Sequence, residues 1–260
     1  MSVEPRPAAA IVLLRDRQQG GIETFMVRRH VRSEFVPDVY VFPGGSVKPG
    51  DREAETLSDL CISPGGDHLG ETALGPGLRA AAIRELFEEA GVLLAGQDGR
   101  ILAISSGHAA RFAEHRRHLQ QNETTLAAVA QGEGLTLATD RLTYFAHWIT
   151  PGALPKRFDT FFFIAAAPEE QQAAHDQLET TAGTWIAPGE ALAQYKQGTF
   201  PLVFATIHQL RALGVFTSIA DAEARLRNQS IPVILPRATL RDGNIVIRLP
   251  GEPGYDEMEA

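Results

Sequence analysis

Residues 78–90 run without glycine, proline or threonine, and Gly91 follows at once. A segment of this kind reads as a helix, with glycine as the C-terminal cap because it most readily adopts left-handed backbone. Within it Glu85, Glu88 and Glu89 stand at i, i+3 and i+4, which puts three carboxylates on one helical face. Ile83, Phe87 and Ala90 lie roughly opposite, so one side anchors and the other presents charge. Like charges at that spacing cost a helix about 0.2–0.5 kcal/mol per pair. Locally only Arg84, four residues before Glu88, offsets them. The rest of the chain must supply a core for one face and an environment for the other.

Strand-like runs at 9–14, 24–28 and 40–42 precede this helix, punctuated by Gly20-Gly21 and Pro43-Gly44-Gly45. Between 46 and 77 the pattern dissolves into Gly, Pro, Asp and Ser, with 53–62 the one helical stretch; this is an inserted excursion. Helices follow at 108–121 and 125–131, then strands at 143–149, 160–166 and 184–186. Pro188 opens a helix leading into 191–197, and beyond Pro201 come helices at 203–213 and 219–227 and strands at 233–235 and 245–249. No internal repeat is visible. Strands alternating with helices imply a sheet covered on both faces.

The formal charge of −8 argues against a general nucleic-acid binder, because phosphate backbones are held by clustered Lys and Arg. The single cysteine, Cys61, excludes an internal disulfide and a multi-cysteine zinc site, and a buried or inert thiol is expected. The apolar run at 8–14 is too short, and too closely flanked by charge, for a membrane span or signal peptide. No targeting tripeptide closes the chain, so cytoplasmic is the default expectation.

A glutamate-rich helical face is often plain solvated surface. Here it is accompanied by Phe42-Pro43-Gly44-Gly45, where glycines after a strand permit close backbone approach and a free carbonyl can complete a cation's coordination. Mg²⁺ or Mn²⁺ suits such a set, since both prefer hard oxygen ligands shared among carboxylates, water and phosphates.

The segment Arg84-Glu85-Leu86-Phe87-Glu88-Glu89-Ala90-Gly91-Val92 resembles the second half of the Nudix signature at every fixed position, and Gly45 resembles the glycine that opens it. In the family about fourteen positions separate that glycine from the arginine; here the separation is 84 − 45 = 39, so about twenty-five residues are inserted. The signature's other glutamate, eight residues before the arginine, is replaced by Pro76. An interrupted signature resembles the branch that includes peroxisomal coenzyme A diphosphatases. Arg28-Arg29 and Phe35 ahead of the Val41 to Gly45 phrase, Asp51, Trp148-Ile149-Thr150-Pro151 and Arg157-Phe158-Asp159-Thr160 are also similar to it.

This resemblance implies an α/β fold with a mixed sheet. It takes the form of an α/β/α sandwich over residues 1–200, with 46–77 inserted before the glutamate helix and 201–260 a helical and strand extension. It implies Glu88, Glu89 and the Gly44 carbonyl as ligands of Mg²⁺ or Mn²⁺, with Glu85 ligating or relaying a proton and Arg84 orienting a glutamate. Water would attack phosphorus in a nucleoside diphosphate linked to another group, coenzyme A or a dinucleotide first. ADP-ribose, a sugar nucleotide or a nucleoside triphosphate is the alternative, and a non-catalytic nucleotide sensor or protein-binding module a third. Glu179 resembles a late acidic residue that joins the metal site or acts as general base, and reads equally well as a surface loop residue. Arg28, Arg29, Arg32, Lys156 and Arg157 are candidates for substrate phosphates, with Gly45 beside them. His147 is expected to be a satisfied core histidine, and Trp148 and Trp185 to pack, with a place bordering a base-stacking pocket the alternative for either. The insertion is expected to help choose the substrate, with a spacer that does not contact ligand the alternative. Neither nucleic acid nor membrane is an expected partner, and a homodimer is left open.

Overall fold

The computed structural model describes residues 3–33, 36–57, 59–62, 74–97, 99–104, 106–176, 179–227, 229–241 and 244–258. Phe35, Asp67 and His68 lie outside them, as does the rest of 63–73. In chain order the elements are β1 (Arg6–Asp16), β2 (Ile22–Arg29), β3 (Tyr40–Val41), β4 (Gly44–Ser46), α1 (Pro49–Thr56), α2 (Leu78–Ala90), β5 (Ala95–Gln97), β6 (Arg100–Ile101), α3 (Ser106–Gln120), α4 (Leu126–Glu133) and β7 (Thr136–Leu137). There follow β8 (Thr143–Ile149), β9 (Phe158–Ala166), β10 (Thr180–Ile186), α5 (Pro188–Lys196), α6 (Phe204–Leu213), α7 (Ile219–Leu226), β11 (Val233–Ile234), β12 (Arg237–Arg241) and β13 (Asn244–Arg248).

The main sheet runs β10-β2-β1-β9-β8-β11, with β3 on β2 and β4 on β1. β1 is its axis, parallel to β9 and antiparallel to β2 and β4. The apolar run of β1 is buried on both faces, as a central strand demands. Ala9, Ile11 and Leu13 face one cluster with α2, α3 and α4, and Val12 and Leu14 face another with α5, α6 and α7. The expected mixed sheet covered on both faces is therefore present. The segment after residue 200 shares in it, since α6 and α7 build the second cluster and β11 extends the sheet beside β8.

One detail of pairing makes the site. β4 pairs with Ala8 to Ala10 while β2 pairs with Leu14 to Asp16, on the same edge of β1. The two neighbours part along that edge, and the sheet opens between them.

The helix at 78–90 has the expected bounds, and Gly91 caps it at φ 70°. Other expectations shift. Gly44-Gly45-Ser46 is a strand in its own right rather than a break. The insertion's helix is α1, not 53–62; Pro49 starts it and the Asp51 carboxylate reaches back to the Lys48 N–H at 2.7 Å. Residues 59–62 instead run to a bridge between Cys61 and Leu137, with Leu60 buried. The short strands β5, β6, β7 and β12 carry no alternation long enough to read.

Candidate active site

α2 is buried all round: Leu78 and Ala80 through Ala90 all lie inside, the three glutamates included at 8 %, 8 % and 6 % exposure for Glu85, Glu88 and Glu89. A solvated acidic face is thereby excluded. Charges so placed need partners, since an ion stripped of water in a low-dielectric interior is costly.

Arg84 is the first partner. Its Nη1 donates to Glu85 Oε1 at 2.6 Å and Glu88 Oε1 at 3.1 Å, Nη2 to the Ser46 carbonyl at 2.9 Å, and Nε and Nη2 to the two Asp51 oxygens at 2.8 and 3.0 Å. Burial acts to lower its pKa, but Glu85, Asp51 and Glu88 outweigh that and hold the guanidinium charged. Asp51 is itself 1 % exposed. Counted forward from Gly45 it stands six residues on, where the Nudix signature has its first glutamate, so that carboxylate is present ahead of the insertion and Pro76 does not replace it.

α1 supplies a second carboxylate. Glu55 accepts the N–H groups of Gly77 at 2.7 Å and Ala80 at 2.8 Å, capping the N-terminus of α2 where a negative charge also meets the helix dipole. Gly77, at φ 88°, leaves no room for a Cβ against Arg52. The described part of the insertion thus serves the glutamate helix; only Ser46 and Lys48 of it line the cavity described below.

The glycine pair works by close approach. A Cβ on Gly45 would meet all three atoms of the Glu85 carboxyl group inside 3.0 Å, and one on Gly44 would meet Ala10. The Gly44 N–H donates to Glu89 Oε2 at 3.1 Å. In an antiparallel ladder a residue's N–H and C=O share one side, so the Gly44 carbonyl opens toward the same carboxylates.

Compensation of the charge is incomplete. Burial, then Glu88, push the Glu85 carboxyl up to about 7 against the pull of Arg84 and Lys48. Burial, Glu85 and Glu179 raise Glu89 well above the usual range, opposed by Arg29 and the Gly44 N–H. Among the described residues no three acidic, histidine or cysteine side chains converge at metal-binding spacing. The donor set nevertheless fits a hard divalent cation: buried carboxylates in excess of local cations, and a carbonyl facing them.

These groups floor a cavity of about 1090 Å³ at the opening in the sheet. Arg29, Arg32, Lys48, Lys156 and Glu179 also line it, with Arg29 and Glu179 near enough to act on Glu89 and Lys48 at 3.6 Å from Glu88, and Ala8, Gly44 and Gly45 form part of the floor. Alternation along β9 puts Phe158, Thr160 and Phe162 into it. Trp148, Phe204, Ile245 and Ile247 continue an apolar far wall, half of it built by the β12–β13 hairpin.

Arg28 and Arg157 are not in this lining. Arg28 lies 2.9 Å from Asp38, and Arg157, buried, donates to the Thr150 and Val3 carbonyls, which ties the chain's start to the 150–157 turn. His147 is buried and bonds Asp159, as a core histidine should, and Trp185 packs on Phe25 under Arg15. Burial, then Glu55, push the Cys61 thiol up to about 11, which leaves it inert near neutrality.

The NUDT19 Nudix domain family matches residues 68–213. The acyl-coenzyme A diphosphatase NUDT19 of Gallus gallus is 29 % identical over 280 residues, covering 90 % of this chain and 73 % of its own length. The protein of the same name from Homo sapiens is 25 % identical over 296 residues, covering 97 % and 77 %. The crystal structure of a NUDIX hydrolase from Alicyclobacillus acidocaldarius superposes with a TM-score of 0.72 at 25 % identity, over 89 % of this chain and 98 % of that one. With the family matched over more than half of its 260 residues, the chain belongs to the NUDT19 Nudix domain family and is a hydrolase of the Nudix type.

Proposed function

We propose that the protein hydrolyses the phosphoanhydride bond of coenzyme A compounds, acylated ones in particular, with Mg²⁺ or Mn²⁺ held by Glu85, Glu88, Glu89 and the Gly44 carbonyl. One observation carries the substrate reading: a single cavity joins the buried carboxylates and their ring of cations to an apolar wall. A diphosphate suits the first end and a hydrocarbon chain the second. A dinucleotide, polar at both ends, would leave the wall unused. The names of the relatives support the same reading.

A divalent cation at this site supplies charge neutralisation on the phosphate oxygens and a more acidic attacking water. The chain's own groups do the rest. Arg84, held by Asp51 and Ser46, fixes Glu85 and Glu88, and Gly45 keeps the strand against Glu85. Arg29, Arg32, Lys48 and Lys156 offset the negative charge of the substrate. Glu179, at the cavity edge and near enough to Glu89 to raise its pKa, accepts a proton from the water that attacks phosphorus. The new P–O bond forms as the anhydride P–O bond breaks, and each product leaves with a terminal phosphate.

The test is a panel of coenzyme A, acyl-coenzyme A, NADH, ADP-ribose, a sugar nucleotide and a nucleoside triphosphate, each with Mg²⁺ or Mn²⁺. Products are identified by mass. Adenosine 3′,5′-bisphosphate with an acylated phosphopantetheine, formed with the highest kcat/KM of the panel, is the expected result. Faster turnover of NADH or a triphosphate would reject the substrate reading.

A further inference from the structure

The last carbonyls of a helix lack partners within it, and something must supply donors. At the C-terminus of α2 these come from α3 and from Ala174. Arg116 Nε donates to the Glu88 carbonyl at 2.9 Å while its Nη2 donates to the Ala174 carbonyl at 3.0 Å. The Ala174 N–H donates to the Ala90 carbonyl at 2.8 Å. Gln120 Nε2 donates to the Glu88 carbonyl at 2.7 Å and reaches Asp176 Oδ2 at 3.2 Å.

Asp176 is where these straps meet the cavity edge. Its carboxylate accepts the N–H of Glu179 at 3.1 Å, the N–H of Thr180 at 2.9 Å and the Thr180 hydroxyl at 2.6 Å, in addition to Gln120. From the other side the Glu179 carbonyl accepts the His30 N–H at 2.9 Å, one residue beyond Arg29. The Glu179 backbone is thus pinned at both its polar groups, and one of the pins leads through a single amide to the carbonyl of Glu88. The Glu179 side chain itself is exposed at the cavity rim, with no hydrogen bond of its own among the described residues to hold it.

We propose that Asp176 is a positioning residue for the hydrolysis: with Gln120 it fixes the backbone that presents Glu179 relative to the metal-binding end of α2. The inference rests on the reading of Glu179 as proton acceptor. Asp176 is not in the cavity lining, so its effect on turnover passes through Glu179. Small displacements of such a group matter, because proton transfer requires hydrogen-bond reach at the reacting water.

The experiment uses the full chain, hexanoyl-coenzyme A and Mn²⁺, with Asp176→Asn, Thr180→Val, Glu179→Gln and the Asp176→Asn/Glu179→Gln pair. Asp176→Asn places an amide donor where a carboxylate oxygen accepted, and Thr180→Val removes the hydroxyl that donates to Asp176 Oδ1 and accepts the Asp176 N–H, without changing shape. Glu179→Gln is expected to lower kcat by about a hundredfold. Asp176→Asn should lower it about thirtyfold and Thr180→Val about threefold, with KM within about twofold throughout, and adding Asp176→Asn to Glu179→Gln should change kcat by less than about twofold. Hydrogen exchange of the Glu179 and Thr180 amides should quicken in Asp176→Asn, a readout independent of activity. If Glu179→Gln keeps full kcat, the proton-acceptor reading falls and this inference with it. If Glu179→Gln is impaired while Asp176→Asn is not, or the two losses multiply, Asp176 does not act through Glu179 and only this inference falls.

Discussion

Asp51 and Arg84, thirty-three residues apart, meet in a buried two-point ion pair with Nε–Oδ1 at 2.8 Å and Nη2–Oδ2 at 3.0 Å. A pair of this kind is strong evidence of mutual dependence, because either charge alone would remain buried without its counterpart. Arg84 keeps Glu85 and Glu88 if Asp51 is lost, and Asp51 keeps the Lys48 N–H if Arg84 is lost. Asp51→Asn is therefore expected to destabilise the metal-free protein by about 3 kcal/mol, the lower end for breaking a buried pair. Urea unfolding in EDTA measures it. A change under about 0.5 kcal/mol would mean the pair is not what holds α1 to α2.

How much of this was legible in the sequence follows from the range of the interactions. The bounds of α2 and its left-handed cap depend on neighbours within the helix, and Gly91 and the Gly/Pro-free run announced them. The shared arc of Glu85, Glu88 and Glu89 was equally local. That the arc is buried was not, since it depends on β4, α1 and α3 closing over it. Counting back from Arg84 crosses the insertion and lands on Pro76, whereas counting forward from Gly45 reaches Asp51; only contact with Arg84 chooses between the two. The donors to the Glu88 carbonyl, Arg116 and Gln120, are ordinary helix residues whose spacing signals nothing. Arg28 and Arg29 are alike in sequence, and alternation along β2 sends just Arg29 to the cavity.

Glu88→Gln and Glu89→Gln should each lower kcat at least about a hundredfold, because each removes a charge from the group that holds the cation. In the metal-free protein Glu89→Gln should leave stability equal or higher, since it relieves repulsion from Glu85 and Glu179, whereas Glu88→Gln also gives up the ion pair with Arg84 and should be neutral or destabilising. Steady-state rates at saturating Mn²⁺, with melting curves in EDTA, test the two halves together. Near-normal turnover in either variant would remove the glutamate face from the chemistry.

Glu85 and Glu89 make the metal-free protein sensitive to pH in a defined direction. Glu85, with its carboxyl pushed up to about 7 from an ordinary 4.5, binds a proton more tightly folded than unfolded, and Glu89 shifts the same way. The contribution of Glu85 to stability is complete below about pH 4.5 and is lost as pH rises through about 7, and that of Glu89 is lost in the same direction. Glu85→Gln cannot titrate there. The stability difference between variant and parent, followed by urea unfolding in EDTA, should therefore grow in favour of Glu85→Gln across that window. A difference independent of pH would show that Glu85 ionises normally, and Mn²⁺ should flatten the parent's dependence by neutralising the group.

The apolar wall should read chain length. Burying a methylene is worth about 0.8 kcal/mol, so each added carbon of an acyl-coenzyme A that lies on the wall should raise kcat/KM by up to roughly fourfold. The increment should cease once the chain outgrows the surface offered by Trp148, Phe162, Phe204 and the hairpin. Ile245 is 67 % exposed in the free protein although it lines the cavity, an arrangement that leaves apolar area to be covered by a ligand. Ile245→Ser and Ile247→Ser are accordingly expected to reduce the slope of log kcat/KM against carbon number while leaving unacylated coenzyme A unchanged. Neither position touches the groups that hold the cation, since both sit on the β12–β13 hairpin and pair within it, so kcat at saturation should hold. Kinetics over a series from acetyl to dodecanoyl decides the matter: a flat series in the parent, or an equal loss for coenzyme A and its long-chain esters in the variants, would separate the hairpin from substrate choice.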